Sequence, residues 1–236
     1  MKVLVVGASG ATGRLVVSQL LERGAKVKAI IRTLDGLPNH PNLYKIQACV
    51  HDLTSLDMAP YVKDCNAVIC CLGHNLSFTG IFGKPRLLVT DTIQCLCNAV
   101  KVNDSDVLVK VILMNTTGNS NRDLPEKPPL SQRVVIGILR ALLPPHVDNE
   151  SAADFLRTQI GPTDKAIEWA IVRPDALTNE PEVTRYNIQP SPIRNVIFDS
   201  GSSSRINVGN FMIELLFNDK LWLKWKGHMP VIYNQE

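Results

Sequence analysis

The chain has 236 residues, 45% of them hydrophobic, and a net charge of only +3. That length suits one domain, alone or with a small appended lobe, and that apolar content can build a sizeable core. The basic residues are scattered and never interleave with aromatics, which argues against a nucleic-acid partner, and no apolar run reaches membrane-spanning length.

The first apolar run, Val3-Leu4-Val5-Val6, starts so near Met1 that no signal peptide fits before it, and a cytoplasmic protein is expected. It leads into Gly7-Ala8-Ser9-Gly10-Ala11-Thr12-Gly13. Leu15, Val16, Leu20 and Leu21 then recur at helical spacing until Gly24 stops the helix, and Val27 to Ile31 reads as a second strand. Strand, glycine turn, helix and strand make a compact βαβ unit. One glycine permits the tight turn, a second lets the main chain approach a pyrophosphate, and a third lets helix pack on strand. The free N–H groups at the helix N-terminus then face the anion. The spacing is G-x-x-G-x-x-G, not the G-x-G-x-x-G of the common dehydrogenase fingerprint. A tight turn without a ligand would also collect glycine, but this one lies where a dinucleotide needs it.

Further elements alternate. Residues 43–49 read as a third strand, and Asp52-Leu53-Thr54 caps a helix over about 55–63. Ala67 to Leu72 is a buried strand ending at Gly73, followed by a polar loop to Lys84 and a long helix over about 86–102. Val107 to Met114 is the next strand, then a Pro-rich loop, an apolar helix at about 131–143 and a helical region at 148–168 interrupted by Gly161-Pro162. Trp169 to Pro174 is a strand, 195–199 a short strand, Asn207 to about 217 a helix, and 229–233 a last strand. Continuous apolar strands alternating with helices predict an α/β, doubly wound Rossmann-type parallel sheet with helices on both faces. One domain over 1–236 is expected, its substrate side built mainly from about 115–165 and 175–200, where the alternation is least regular. The six cysteines form no C-x-x-C pair and read as reduced thiols, so no metal is expected.

The second strand ends at Arg32, with no acid until Asp35. A carboxylate at that position accepts from both ribose hydroxyls, whereas an arginine pairs with a 2′-phosphate, so NADP(H) is favoured over NAD(H). Arg32 as a solvated surface residue is the alternative. Ser9 adds a hydroxyl near the same phosphate. Asp52, with the Leu53 N–H, can reach an adenine amino group, cap the following helix, or do both.

Together these motifs resemble the atypical short-chain dehydrogenase/reductase family, in its NAD(P)-binding, NmrA-like and biliverdin-reductase-B-like branch. The resemblance spans almost the whole chain. It implies cofactor contacts from Gly7, Ser9, Gly10, Ala11, Thr12 and Gly13, from Arg32, from Asp52 and Leu53, and from Cys71-Leu72-Gly73 after the fourth strand. Asn115-Thr116-Thr117-Gly118 sits where such proteins carry a Ser/Thr pair, which adds Thr116 to those contacts. Ile171-Val172-Arg173-Pro174-Asp175-Ala176-Leu177-Thr178 is similar to the segment that meets the nicotinamide, implying contacts at Pro174 and Leu177.

One departure bears on mechanism. The family's usual Tyr-x-x-x-Lys pair, in which Lys tunes the Tyr proton donor, is missing: the residues four places after Tyr44, Tyr61 and Tyr186 are Ala48, Cys65 and Pro190, and nothing follows Tyr233 at that distance. Candidate polar groups beside the nicotinamide are Thr116, Thr117 and His74, with Asn75 and Lys127 as weaker ones. The threonines could equally serve strand-end hydrogen bonding, and His74 could be a surface residue. Leu76, Phe78, Ile81 and Phe82 form either an apolar lid over a flat substrate or an anchor for their loop, whereas Trp222 and Trp225 read as packing residues. Two functions follow: an NADPH-dependent reductase of a small carbonyl, quinone, flavin or tetrapyrrole-like acceptor, or a non-catalytic NAD(P)-binding redox sensor of the NmrA-like type.

Overall fold

Residues on alternate positions of a strand point to opposite faces, so a strand that is apolar throughout needs cover on both sides. In the computed structural model, which describes residues 1–34, 36–74, 77–104, 107–126 and 129–235, each inner strand divides its side chains this way. Strand β1 (Lys2–Val6) sends Leu4 and Val6 into one core and Val3 and Val5 into the other. In β4 (Ala67–Cys70), Val68 and Cys70 join the first core and Ala67 and Ile69 the second. The same division runs through β5 (Val109–Met114) and β6 (Ile167–Pro174).

With β2 (Lys26–Ile31), β3 (Leu43–Gln47), β7 (Ala176–Thr178), β8 (Tyr186–Gln189), β9 (Ser202–Ser204) and β10 (Val231–Asn234), the strands form an eight-stranded sheet in the order β3-β2-β1-β4-β5-β6-β10-β8 and a separate β7-β9 ribbon. All pairs are parallel except β10–β8. The order reverses between β1 and β4, and in such sheets ligands bind outside the carboxyl ends of the strands at that crevice. The first core is covered by α2 (Ser55–Val62), α4 (Leu88–Val102) and α6 (Pro144–Phe155), the second by α1 (Ala11–Glu22), α7 (Arg205–Phe217) and α8 (Asp219–Trp225). The doubly wound Rossmann-type architecture expected from the apolar pattern is the one observed.

Several boundaries differ, each for a local reason. Helix α2 is capped by Thr54 through a reciprocal box with Asp57, so Asp52 is not its cap and lies instead in a 3-10 turn over Val50–Asp52. Helix α6 begins at Pro144 rather than at 148, because a first-turn proline loses no helical hydrogen bond. A π turn over Leu156–Ile160 and Gly161, at φ +69, end that segment, well short of 168. Residues 195–199 form turns rather than a strand, since Asn195 Oδ1 accepts from the Ile197 and Phe198 N–H groups. The expected polar loop after Gly73 contains a short helix, α3 (Phe78–Phe82). Residues 130–142 form α5 (Leu130–Leu142). Trp222 and Trp225 are buried in the second core, as packing residues.

Candidate active site

A cleft of about 430 Å³ opens at the carboxyl ends of β1, β2 and β4. Its floor is the glycine turn. Gly7 lies at φ +73, and a Cβ there would stand 2.7 Å from the Cys71 carbonyl, so only glycine lets this turn touch the end of β4. A Cβ on Gly13 would stand 2.0 Å from the Gly7 carbonyl oxygen, so α1 packs directly on the turn. Gly10 is the N-cap of α1 and donates its N–H to Gly7 at 3.0 Å. No side chain caps this helix and no acid lies in its first turn, so its positive end is left uncompensated beside the cleft.

The charges lining the cleft have one sign. Arg32 and Lys84 both face it, both are exposed, and neither side chain makes a hydrogen bond or ion pair among the described residues. No carboxylate lines it among those residues. A helix N-terminus with two cations suits an extended polyanion, and Arg32, Ser9 and Gly73 all line the one cleft.

A model of the NAD(P)H-binding family matches residues 7–219. The chain belongs to that family. It is 27% identical, over 225 residues covering 93% of this chain and 73% of the relative, to an uncharacterized chloroplastic protein of Arabidopsis thaliana. The oxidoreductase ylbE from Lactococcus lactis shares the fold with a TM-score of 0.72 at 19% identity, covering 100% of this chain and 92% of that one. A short-chain dehydrogenase/reductase from Veillonella parvula, solved in complex with NADP, does so with a TM-score of 0.69 at 14% identity, covering 99% and 94%. Membership of the NAD(P)H-binding family is thus shown, and the likeness to solved dehydrogenase/reductase structures is one of fold.

Within this NAD(P)H-binding chain the residues singled out from sequence fall into three groups. Gly7, Ser9, Gly10, Arg32, Cys71, Leu72, Gly73 and His74 line the cleft, with Ala11, Thr12 and Gly13 in the helical turn behind it. Thr116 and Thr117 line a different space, a pocket of about 300 Å³ beyond β5 and β6. Asp52, Leu53, Pro174 and Leu177 line neither. The Asp52 carboxylate lies 3.2 Å from His51 Nε2, and the Leu53 N–H is already donated to the Val50 carbonyl. Ala48, Cys49, Val50 and His51 form part of the cleft rim, with Cys49 Sγ 3.1 Å from His51 Nδ1. Asp35, Asn75, Leu76 and Lys127 lie outside the described residues.

His74 is not the free proton donor considered from sequence. Its Nδ1 lies 3.1 Å from the Gly80 carbonyl and its Nε2 2.7 Å from Asp148 Oδ2. Asp148, fully buried, also accepts from the Val89 and Thr90 N–H groups at the start of α4. His74 therefore straps the cleft wall to α4 and α6. The phenylalanines neither close the cleft nor anchor their loop: Phe78 is 79% and Phe82 41% exposed, and they stack on each other at 5.0 Å. All six cysteines are free, and burial pushes the Cys70 thiol up to about 12.

The 300 Å³ pocket joins Asp175, from the motif that ends β6, to His146, which no sequence motif announced. Asp175 follows β6, accepts from the Gly201 N–H at 3.0 Å and from Thr117 Oγ1 at 3.2 Å, and its carboxyl is pushed up by burial. His146 enters from the first turn of α6, and Glu150, one turn on, takes a forked contact from Arg140. The signal was present as His146-x-x-x-Glu150, an i,i+4 pair. It was hidden because the helix was expected to begin after His146.

Burial pushes the Glu150 carboxyl up, but contacts from His146 and Arg140 outweigh it and hold it down at about 2 against an ordinary 4.5. A carboxyl depressed on folding stabilises the folded state fully above its unfolded value and loses that contribution as pH falls through the folded one. The difference in unfolding free energy between wild type and Glu150→Gln should therefore be largest above pH 4.5 and vanish toward pH 2. Urea midpoints of both proteins at about pH 6 and about pH 3 check this, and an unchanged gap would refute it.

Proposed function

We propose that the protein is an NADPH-dependent reductase of a small carbonyl, quinone, flavin or tetrapyrrole-like acceptor in a reducing compartment such as the cytoplasm. The observation that carries this reading is the cleft of one charge sign: an uncompensated α1 N-terminus flanked by unpartnered Arg32 and Lys84, with no acid among the described lining residues. An NAD-selecting site would put a carboxylate where Arg32 stands. The free thiols suit a reducing compartment.

In this reading Ser9, Gly10 and the first turn of α1 hold the pyrophosphate, Arg32 holds the 2′-phosphate, and Ala48 to His51 flank the adenine. Leu72 and Gly73 direct the chain of the cofactor toward Thr116. When bound, NADPH supplies the hydride and the electrons. The protein binds and orients the reactants, and the strap from His74 to Asp148 keeps the cleft wall in place. The small molecule that accepts the hydride sits in the pocket lined by Thr116, Thr117 and Asp175.

Arg32→Asp tests cofactor choice. Loss of a charge-assisted contact to the phosphate, with repulsion added, should weaken NADPH binding about a hundredfold while NADH changes less than about threefold. Titration of nicotinamide fluorescence reads both, and equal losses would refute the 2′-phosphate role. Turnover is tested by NADPH oxidation against a flavin, quinone and dicarbonyl panel. Tight binding with no oxidation across the panel would make the protein a non-catalytic NAD(P)-binding sensor.

A further inference from the structure

A reductase of carbonyls needs a proton for the oxygen, and no tyrosine among the described residues lines either the cleft or the pocket beyond β5 and β6. The pocket does contain one imidazole. His146 stands at its wall with Thr116, Asp175 and the apolar Ile136, Leu139 and Ile197. Its side chain is only 10% exposed, and its buried Nε2 has no hydrogen-bond partner, lying 3.4 Å from Glu150 Oε1. Its Nδ1 has none either among the described residues, so the ring has a nitrogen to offer an incoming group. The pocket floor comes from Thr116 and Asp175, which directly follow β5 and β6. Both strands end on the sheet edge that bears the cleft, so the two spaces share one edge of the fold.

We infer that His146 is the proton donor of this pocket, giving its Nδ1 proton to the oxygen of a small flat carbonyl or quinone acceptor. The inference rests on the reductase reading above. The acceptor carbon takes a hydride from the dihydronicotinamide, which is thereby oxidised, and the C=O π pair moves to oxygen. That oxygen takes the proton from His146, the acceptor leaves as an alcohol, and solvent re-protonates the ring. Glu150 stands one helical turn from His146 and is fixed by Arg140 Nε and Nη2 at 2.7–3.0 Å, so it is placed to orient the ring. The charged groups facing the ring are Glu150 from α6, Arg140 from α5 and Asp175 from the end of β6. Asp148, also on α6, is turned to His74. The spacing of His146 and Glu150 is that of a Tyr-x-x-x-Lys pair, with the polarity reversed: a cationic donor steadied by an anion instead of a phenol steadied by a cation.

The test uses the full-length protein with NADPH and two probes, isatin and menadione. His146→Gln should lower kcat/KM for both about a hundredfold or more, and the alkaline fall of the wild-type pH profile should disappear. Its NADPH affinity by nicotinamide fluorescence should stay within about threefold of wild type. Glu150→Gln keeps the imidazole but loosens its orientation, and should lower kcat about tenfold with little change in KM. An active wild type whose rate and pH profile survive His146→Gln would overturn the assignment while leaving the reductase reading intact. A wild type that binds NADPH and oxidises none with any acceptor would overturn both. The imidazole resonances give a reading apart from turnover: adding isatin to the NADP⁺-bound protein should shift the His146 signal, and a signal that does not move would place the acceptor elsewhere.

Discussion

Gly13→Ala should cost about 3 kcal/mol of folding stability and weaken NADPH binding at least about tenfold. The added methyl would stand 2.0 Å from the Gly7 carbonyl oxygen and 3.0 Å from the Ala8 Cα, both backbone atoms that no rotamer change can move. Relief requires α1 to slide off the end of β1, which shifts the helix N-terminus that faces the cleft. Gly137→Ala is the matched control. It lies in α5 with nothing within 4 Å of the new Cβ, and should be neutral or stabilising by up to about 1 kcal/mol through helix propensity. Urea unfolding and nicotinamide fluorescence report the two quantities. Equal behaviour of the two variants would mean that the turn is far softer than its geometry implies.

The second large effect is expected at Arg173, which is fully buried. All five of its N–H groups are used: Nε donates to Met229 O, Nη1 to Asn119 O and Glu126 Oε2, and Nη2 to Glu126 Oε1 and Pro190 O. One guanidinium thus joins β6, the loop after β5, the segment after β8 and the approach to β10. Glu126→Ala would leave that charge buried without its counter-ion and should destabilise the fold by about 3–5 kcal/mol. Arg173→Met combined with Glu126→Leu should cost less than Glu126→Ala alone, because no uncompensated charge remains. Denaturant midpoints of the three proteins decide it. A loss below about 1 kcal/mol for Glu126→Ala would mean that water reaches the site and screens the charge.

These two sites differ in how much of them the sequence disclosed. The glycine turn was legible because every atom involved belongs to a stretch of some dozen residues, where strand, turn and helix geometry follow from local sterics. Arg32 was legible for a similar reason: the end of a strand is set by its own apolar run. Arg173 stands in a recognisable motif, but its partner Glu126 carries no signal, since it stands 47 positions away in a Pro-rich loop with no periodicity. His74 lines the cleft, but its engagement with Asp148, 74 positions on, has no signature in the sequence.

What the sequence determined by itself is the part governed by short-range rules: the βαβ opening, the doubly wound sheet implied by strands apolar on both faces, the glycine cradle and the arginine at the end of β2. Local sterics and side-chain periodicity suffice for these. Only the tertiary structure decided that Cys49 to His51 line the cleft while Asp52 does not, that Lys84 joins Arg32, and that His146, Thr116 and Asp175 share one pocket. Those neighbours come from different strand ends and from a helix whose first turn begins at a proline pair. Their meeting depends on strand order and on how α6 packs over the sheet, which no short stretch of the chain encodes.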